Sequence, residues 1–108
     1  MSEIAKMIEP PYYAVIFSSQ RTEGDKGYCM MAEKMVKLAS QQKGFLGIES
    51  ARDQGVGITV SYWDSLESIS NWREHLAHQV AQEKGKNVWY STYAVRICKV
   101  ERDNFYEM

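Results

Sequence analysis

Only two prolines occur in the chain, and they are adjacent, at Pro10-Pro11. Each holds itself and its predecessor in extended conformations. They close a weakly patterned segment, residues 1–11, which reads as an arm that packs on a neighbour. Two cysteines, Cys29 and Cys98, are too few for a disulfide framework, so both are expected to be reduced core thiols. There is no excess of basic residues: the net charge is -1, which gives no electrostatic draw for nucleic acid and no polybasic run for a membrane surface. The longest apolar run, Ala14 to Phe17, is far shorter than the ~20 residues of a membrane span. Met1 to Lys6 shows no apolar stretch of the signal-peptide kind, so a cytoplasmic location is the default expectation. Repeats, low-complexity tracts, a glycine-rich phosphate loop, a G-x-S-x-G elbow and zinc-finger spacings are all missing. Cys29 has no visible base partner, which argues against a cysteine nucleophile.

With 108 residues there is room for one domain, and a domain of this size buries about two-thirds of the surface its unfolded chain exposes. Tyr12-Tyr13-Ala14-Val15-Ile16-Phe17-Ser18 is aromatic and β-branched, the composition of a central strand buried on both faces. Gln20 to Gly24 reads as a polar connection. From about Asp25 to Gln42, Tyr28, Met31, Ala32, Met35, Leu38 and Ala39 recur at spacings of three and four, one apolar helix stripe. Lys34, Lys37 and Gln41 fall opposite, and Gly44 is a plausible stop.

Phe45 to Arg52 and Ile58 to Trp63 read as a hairpin, its turn at Asp53 to Gly57 having glycines where positive φ is expected. In the second of these strands, Ile58, Val60 and Tyr62 make one face greasier than the other. Asp64-Ser65-Leu66-Glu67 has a helix-start signature, with Asp64 as cap and Glu67 reaching back. Leu66, Ile69, Arg73 and Leu76 mark a face of the helix that follows, and a second helical stretch runs from about Ala77 to Tyr90, with Gly85 as its weak point. Tyr93 to Val100 is the last strand, and residues 102–108 form a charged tail after a domain that spans residues 12–101.

This order predicts an α+β, ferredoxin-like βαββαβ fold: a four-stranded antiparallel sheet with helices on one face. Nothing in the chain is left to cover the other face, so a homodimer with two sheets face to face, a dimeric α/β barrel, is the economical answer.

Three stretches carry a resemblance: Gly44-Phe45-Leu46-Gly47-Ile48-Glu49-Ser50 with Val60-Ser61-Tyr62-Trp63-Asp64-Ser65-Leu66; Ile69-Ser70-Asn71-Trp72-Arg73 with His78-Gln79-Val80-Ala81-Gln82; and Trp89 to Arg96. Together, across Tyr12 to Glu101, they resemble the antibiotic biosynthesis monooxygenase family. The resemblance implies the same dimeric architecture, with a pocket in each subunit between helices and sheet. It also implies oxidation of polycyclic aromatics or quinols by molecular oxygen with no metal or other cofactor, although membership predicts fold better than reaction.

Trp72 can stack on a flat aromatic ligand, and Asn71 beside it can orient a carbonyl or phenol. His78 is the expected proton acceptor, an imidazole being suited to a phenolic or activated carbon proton near neutral pH. Tyr62, Trp63, His75 and Tyr93 are further candidates to line a pocket for a small aromatic molecule, the structural alternative for each being packing. His75 and His78 share a helix face, but no third ligand stands at metal-site spacing. Haem-degrading relatives place an asparagine on the first strand, a tryptophan on the helix and a histidine about ten residues beyond. Here Trp72 fits, while Ser18 and Ser19 and then Gln82 stand at the other two positions, so haem cleavage is disfavoured. A non-catalytic ligand-binding dimer is the main alternative.

Overall fold

The computed structural model describes residue 4 and residues 9–24, 28–83 and 90–108, with backbone alone for residues 77–83. Along the chain come β1 (Tyr12–Arg21), α1 (Tyr28–Ser40), β2 (Phe45–Arg52), β3 (Val56–Trp63), α2 (Leu66–Glu83) and β4 (Tyr90–Val100). The strands form one antiparallel sheet in the order β2-β3-β1-β4. This is the ferredoxin-like α+β arrangement expected from the sequence.

Directly paired residues of antiparallel strands share a face, so the register orders the sheet into transverse rows. On the helix side these rows are Phe45, Trp63, Tyr13 and Lys99; then Ile48, Ser61, Val15 and Ile97; then Ser50, Thr59, Phe17 and Val95; and last Arg52, Gly57, Ser19 and Tyr93. The core lies at the first end. Trp63 has no exposed surface, and Ala39, Ile69 and Trp72 are buried with it, with Tyr13, Val15, Leu38, Phe45 and Leu76 packed around them. The rows thus grade from apolar to polar along the strands.

In α1 the predicted stripe is observed: Tyr28, Met31, Ala32, Met35 and Leu38 are half-buried and Ala39 is buried, while Lys34, Lys37 and Gln41 are exposed. The chain then turns through Gly44, which adopts φ 88° and whose carbonyl accepts from the Asp64 amide at 2.9 Å. A β-carbon at Gly44 would collide with Ser68 Oγ, Ser68 Cβ and Asp64 Oδ1. Ser65 caps α2, its hydroxyl oxygen accepting from the Ser68 amide at 3.1 Å, and Asp64 accepts instead from the Ser68 hydroxyl at 2.8 Å. The cap is therefore one residue later than the sequence signature suggests, because α2 begins at Leu66 and Ser65 stands immediately before it.

Several expectations are corrected. β1 continues past Ser18 through Ser19, Gln20 and Arg21, since β3 supplies backbone partners as far as Gln20 and β4 as far as Arg21. α2 is one helix to Glu83, Tyr90 belongs to β4, and Gly85 lies outside the described residues. The inward face of α2 is Ile69, Trp72 and Leu76, whereas Leu66 and Arg73 are exposed. Among the described glycines, Gly24 and Gly44 have positive φ, and the hairpin glycines Gly55 and Gly57 do not.

Both cysteines are exposed: Cys29 on the outer side of α1, and Cys98 beside Ala14 on the sheet face away from the helices. That face also carries Ile58, Val60 and Tyr62, the greasier side of β3, and Ile58 is 46% exposed. β1 is central but only half-buried from Val15 to Ser18; of these, Ile16 and Ser18 lie on the far side, which is open in the single chain. At one end of this face the tail is tied back, the Tyr12 hydroxyl donating to Asp103 Oδ2 at 2.5 Å.

Gly44→Ala is expected to lower stability by about 1–3 kcal/mol through strain and collision, and Gly55→Ala, where a β-carbon meets open space, by less than about 0.5 kcal/mol, both read by denaturant unfolding. The Tyr12 phenol is pushed up to about 12, first by burial and then by its hydrogen bond to Asp103 and the nearby carboxylate charge. The folded chain keeps this proton while the unfolded chain releases it near the ordinary tyrosine value of about 10. The resulting stability is complete below about pH 10 and declines as pH rises toward about 12. Alkaline melts of Tyr12→Phe should show a shallower decline, and an unchanged slope would contradict the assignment.

Candidate active site

α2 leaves β3 directly after Trp63, so the tryptophan that ends the strand becomes the floor on which the helix lands. Trp63 Nε1 donates to Ser61 Oγ at 2.9 Å, which satisfies its one polar atom inside the core. Three residues after Ile69, Trp72 stacks on Trp63 with ring centres 6.1 Å apart and planes inclined by 22°. His75 continues the stack, 5.7 Å from Trp72 at 26°. Its Nε2 is buried and has no hydrogen-bond partner among the described residues. A buried ring nitrogen without a partner loses its water without recompense, so a group able to exchange a proton with it would be stabilised there.

Beside this stack, Leu66, Ile69, Ser70, Arg73 and Glu74 of α2 and Ile97 of β4 line an open cleft of about 460 Å³. Ile69 belongs to both the cleft and the core, and so links the two. Arg73 and Glu74 put both charge signs on the rim over an apolar floor.

The structure brings together Trp63, Trp72 and His75. Trp72 is 8% exposed, and both of its stacked neighbours are protein rings, so it offers a ligand little more than an edge. Asn71 is exposed on the outside of α2 and lines neither the stack nor the cleft. His78 is on α2, but its side chain lies outside the described residues, as does that of Gln82.

Tyr62 points away from the helices. Its ring meets Tyr12 edge-on at 6.0 Å, and its hydroxyl donates to Glu49 Oε1 at 2.5 Å. Burial first, and then that hydrogen bond, hold its phenol well above the ordinary tyrosine range. The sheet separates it from Trp72. Tyr93 is on the helix side but at the opposite end from Trp63, 58% exposed and 5.5 Å from the Phe17 ring. Ser19, at one of the positions compared with the haem-cleaving pattern, is buried and accepts from Arg52. Among the described residues no three of His, Cys, Asp and Glu converge as metal ligands would.

Sequence reasoning missed Arg21 and Arg52, which gather with Tyr28 and Tyr90 near Tyr93. The signal available was positional: both arginines end their strands, and Arg52 stands opposite a glycine across the hairpin.

The family model for antibiotic biosynthesis monooxygenase matches residues 11–84. The uncharacterized protein YqjZ of Bacillus subtilis (strain 168) is 56% identical over 108 residues, covering 99% of this chain and 95% of that protein. Among solved structures, SnoaB of Streptomyces nogalater, a cofactor-independent oxygenase, superposes with a TM-score of 0.69 at 12% identity, covering 91% of this chain and 100% of that one. A dimeric ferredoxin-like protein from an uncultured marine organism gives 0.68 at 9% identity, covering 91% and 95%. At such identities the two structures speak for the fold, while the sequence match, spanning more than half of the chain, places it in a family: the chain belongs to the antibiotic biosynthesis monooxygenases.

Proposed function

We propose that the chain is a cofactor-independent monooxygenase for a small aromatic or quinone-type molecule, held on the helix side of the sheet near the Trp63–Trp72–His75 stack. The observation that carries this reading is the buried Nε2 of His75 at the end of that stack, which has no hydrogen-bond partner among the described residues. Family membership and the likeness to a cofactor-independent oxygenase support it.

The chemistry asks little of the protein. A base removes a proton from an activated CH₂ or phenol of an electron-rich ring system. The resulting anion passes one electron to O₂, and the radical pair combines to a hydroperoxide. Loss of water then leaves a carbonyl, so CH₂ and O₂ become C=O and H₂O. The protein must supply apolar walls, a base of near-neutral pKa and groups that favour the anion. His75 and His78, three residues apart on α2, are the bases in this reading, with Trp72 and Trp63 fixing the imidazole from behind.

The functional unit in this reading is a homodimer joined through the open face of the sheet. Val60, Ile16 and Ile58 form its apolar centre, and the dimeric ferredoxin-like neighbour supports the arrangement.

With a panel of anthrones, dihydroxynaphthalenes and hydroquinones, metal-stripped wild type should consume oxygen above the spontaneous rate. Replacing the histidine that serves as base, tested as His75→Ala and His78→Ala separately, should cost about a hundredfold or more, with Trp72→Phe intermediate. Spontaneous rates across the panel would remove turnover from the reading and favour a ligand-binding dimer. Light scattering at micromolar concentration should give twice the chain mass for wild type and the single-chain mass for Val60→Asp, and a monomeric wild type would overturn the dimer.

A further inference from the structure

We infer that Ser61 is a positioning residue for the imidazole of His75: its hydroxyl selects the orientation of Trp63, and the stack hands that orientation on to the ring that takes the proton. This rests on the reading of His75 as a base and names the side chain that aims it.

Ser61 is out of place for packing alone. On the helix side of the sheet its row is Ile48, Ser61, Val15 and Ile97, so its neighbours across the strands are all apolar. The residue is 9% exposed. A hydroxyl in such a place costs stability unless it is bonded, and alanine or valine would fill the row without that cost. The bond it makes is to a residue two places along the same strand, Trp63, whose Nε1 donates to Ser61 Oγ at 2.9 Å.

An indole is unsymmetrical, and its χ2 torsion has two broad wells that place Nε1 on opposite sides. Trp63 has no exposed surface, so an N–H turned the other way would lie in the apolar core, out of reach of solvent. Ser61 thereby fixes which well is occupied. The choice carries outward because the Trp63 ring is held between neighbours: Phe45 meets it edge-on at 5.5 Å and 85°, and Trp72 stacks on it at 6.1 Å and 22°. Flipping the indole moves its six-membered ring relative to both, and Trp72 must follow.

His75 lies on Trp72, 5.7 Å away at 26°. Its Nε2 is buried and has no hydrogen-bond partner among the described residues. No hydrogen bond at that nitrogen aims the ring there, so the stack does. The path from hydroxyl to indole, second indole and imidazole uses one strand and one helix, and Ser61 is its fixed end. A base that is held but wrongly aimed loses rate more than it loses substrate affinity.

The test compares wild type with Ser61→Ala, Ser61→Cys and Ser61→Thr. In proton NMR the wild-type His75 ring protons should lie upfield of the ordinary histidine range, being over the face of Trp72, and the Trp63 indole proton should give one slowly exchanging signal. Ser61→Ala should move the His75 protons toward the ordinary range and speed the indole exchange. Ser61→Cys, close in volume but a weaker acceptor, should do the same to a smaller extent, and it decides the matter if the alanine variant does not fold. Ser61→Thr, which keeps the hydroxyl, should restore the wild-type pattern. With a substrate that supports oxygen uptake, Ser61→Ala should lower kcat about tenfold or more and leave KM within about twofold, a split that general loosening of the fold would not give. Wild-type His75 shifts and wild-type kcat in a folded Ser61→Ala would overturn the assignment and leave the base reading intact. Uptake by wild type no faster than the spontaneous rate, or uptake unaffected by His75→Ala, would overturn the base reading and this assignment with it.

Discussion

The stacking of Trp72 on Trp63 is the contact on which the rest of the molecule depends. Trp63 ends β3, pairs across the sheet with Tyr13 and Phe45, and has no surface left for solvent once α2 has landed on it. Both rings are buried in the core, and their large apolar area and stacked geometry favour a fixed arrangement. Because α2 begins three residues after Trp63, the stack also sets the rotation of the helix. Ile69, Trp72 and Leu76 turn inward, and His75 follows to the end of the stack. The candidate base is positioned by the same interaction that closes the core.

The transverse rows explain why chemistry can reside on the helix side at all. If every row were as apolar as the first, the helices would close down along the full length of the strands. Instead, serine, threonine and arginine enter toward the last row, and the covering of β4 is incomplete, leaving Val95 and Ile97 partly open. A small domain cannot fill both faces of a four-stranded sheet from its own side chains. In the single chain one face of the sheet is left open, with Ile58 46% exposed, and the other grades from apolar to polar along the strands.

Much of the fold was legible because periodicity reports burial. The α1 stripe at three- and four-residue spacing and the boundaries of β2 appear as read. What was misread shares one cause: polar residues inside regular elements. Gln20 and Arg21 resemble a loop by composition, but their backbones are paired within the sheet and only their side chains are polar. Leu66 and Arg73 were read onto the same face of α2 as Ile69 and Leu76, whereas Trp72, one residue before Arg73, takes the core position with Ile69 and Leu76. The greasier side of β3 was read from its alternation, and the register places it on the face away from the helices.

The site was legible in part for a related reason. Trp63, Trp72 and His75 lie within one short stretch of sequence, where helical spacing brings them together. Tyr62 and Tyr93 are separated from that stack by strand parity and by distance along the strands, and both depend on a register that composition does not reveal. Arg21 and Arg52 both reach the Tyr28 ring only through that register, across three strands.

The passage of the Arg52 side chain over Gly57 couples two positions on opposite arms of a hairpin. A side chain at position 57 would push aside the Arg52 guanidinium, the flexible end of its side chain, and with it the bond to Ser19. A change at any of these three sites is therefore felt first at the other two, through the path of one movable side chain and not through the backbone of the sheet.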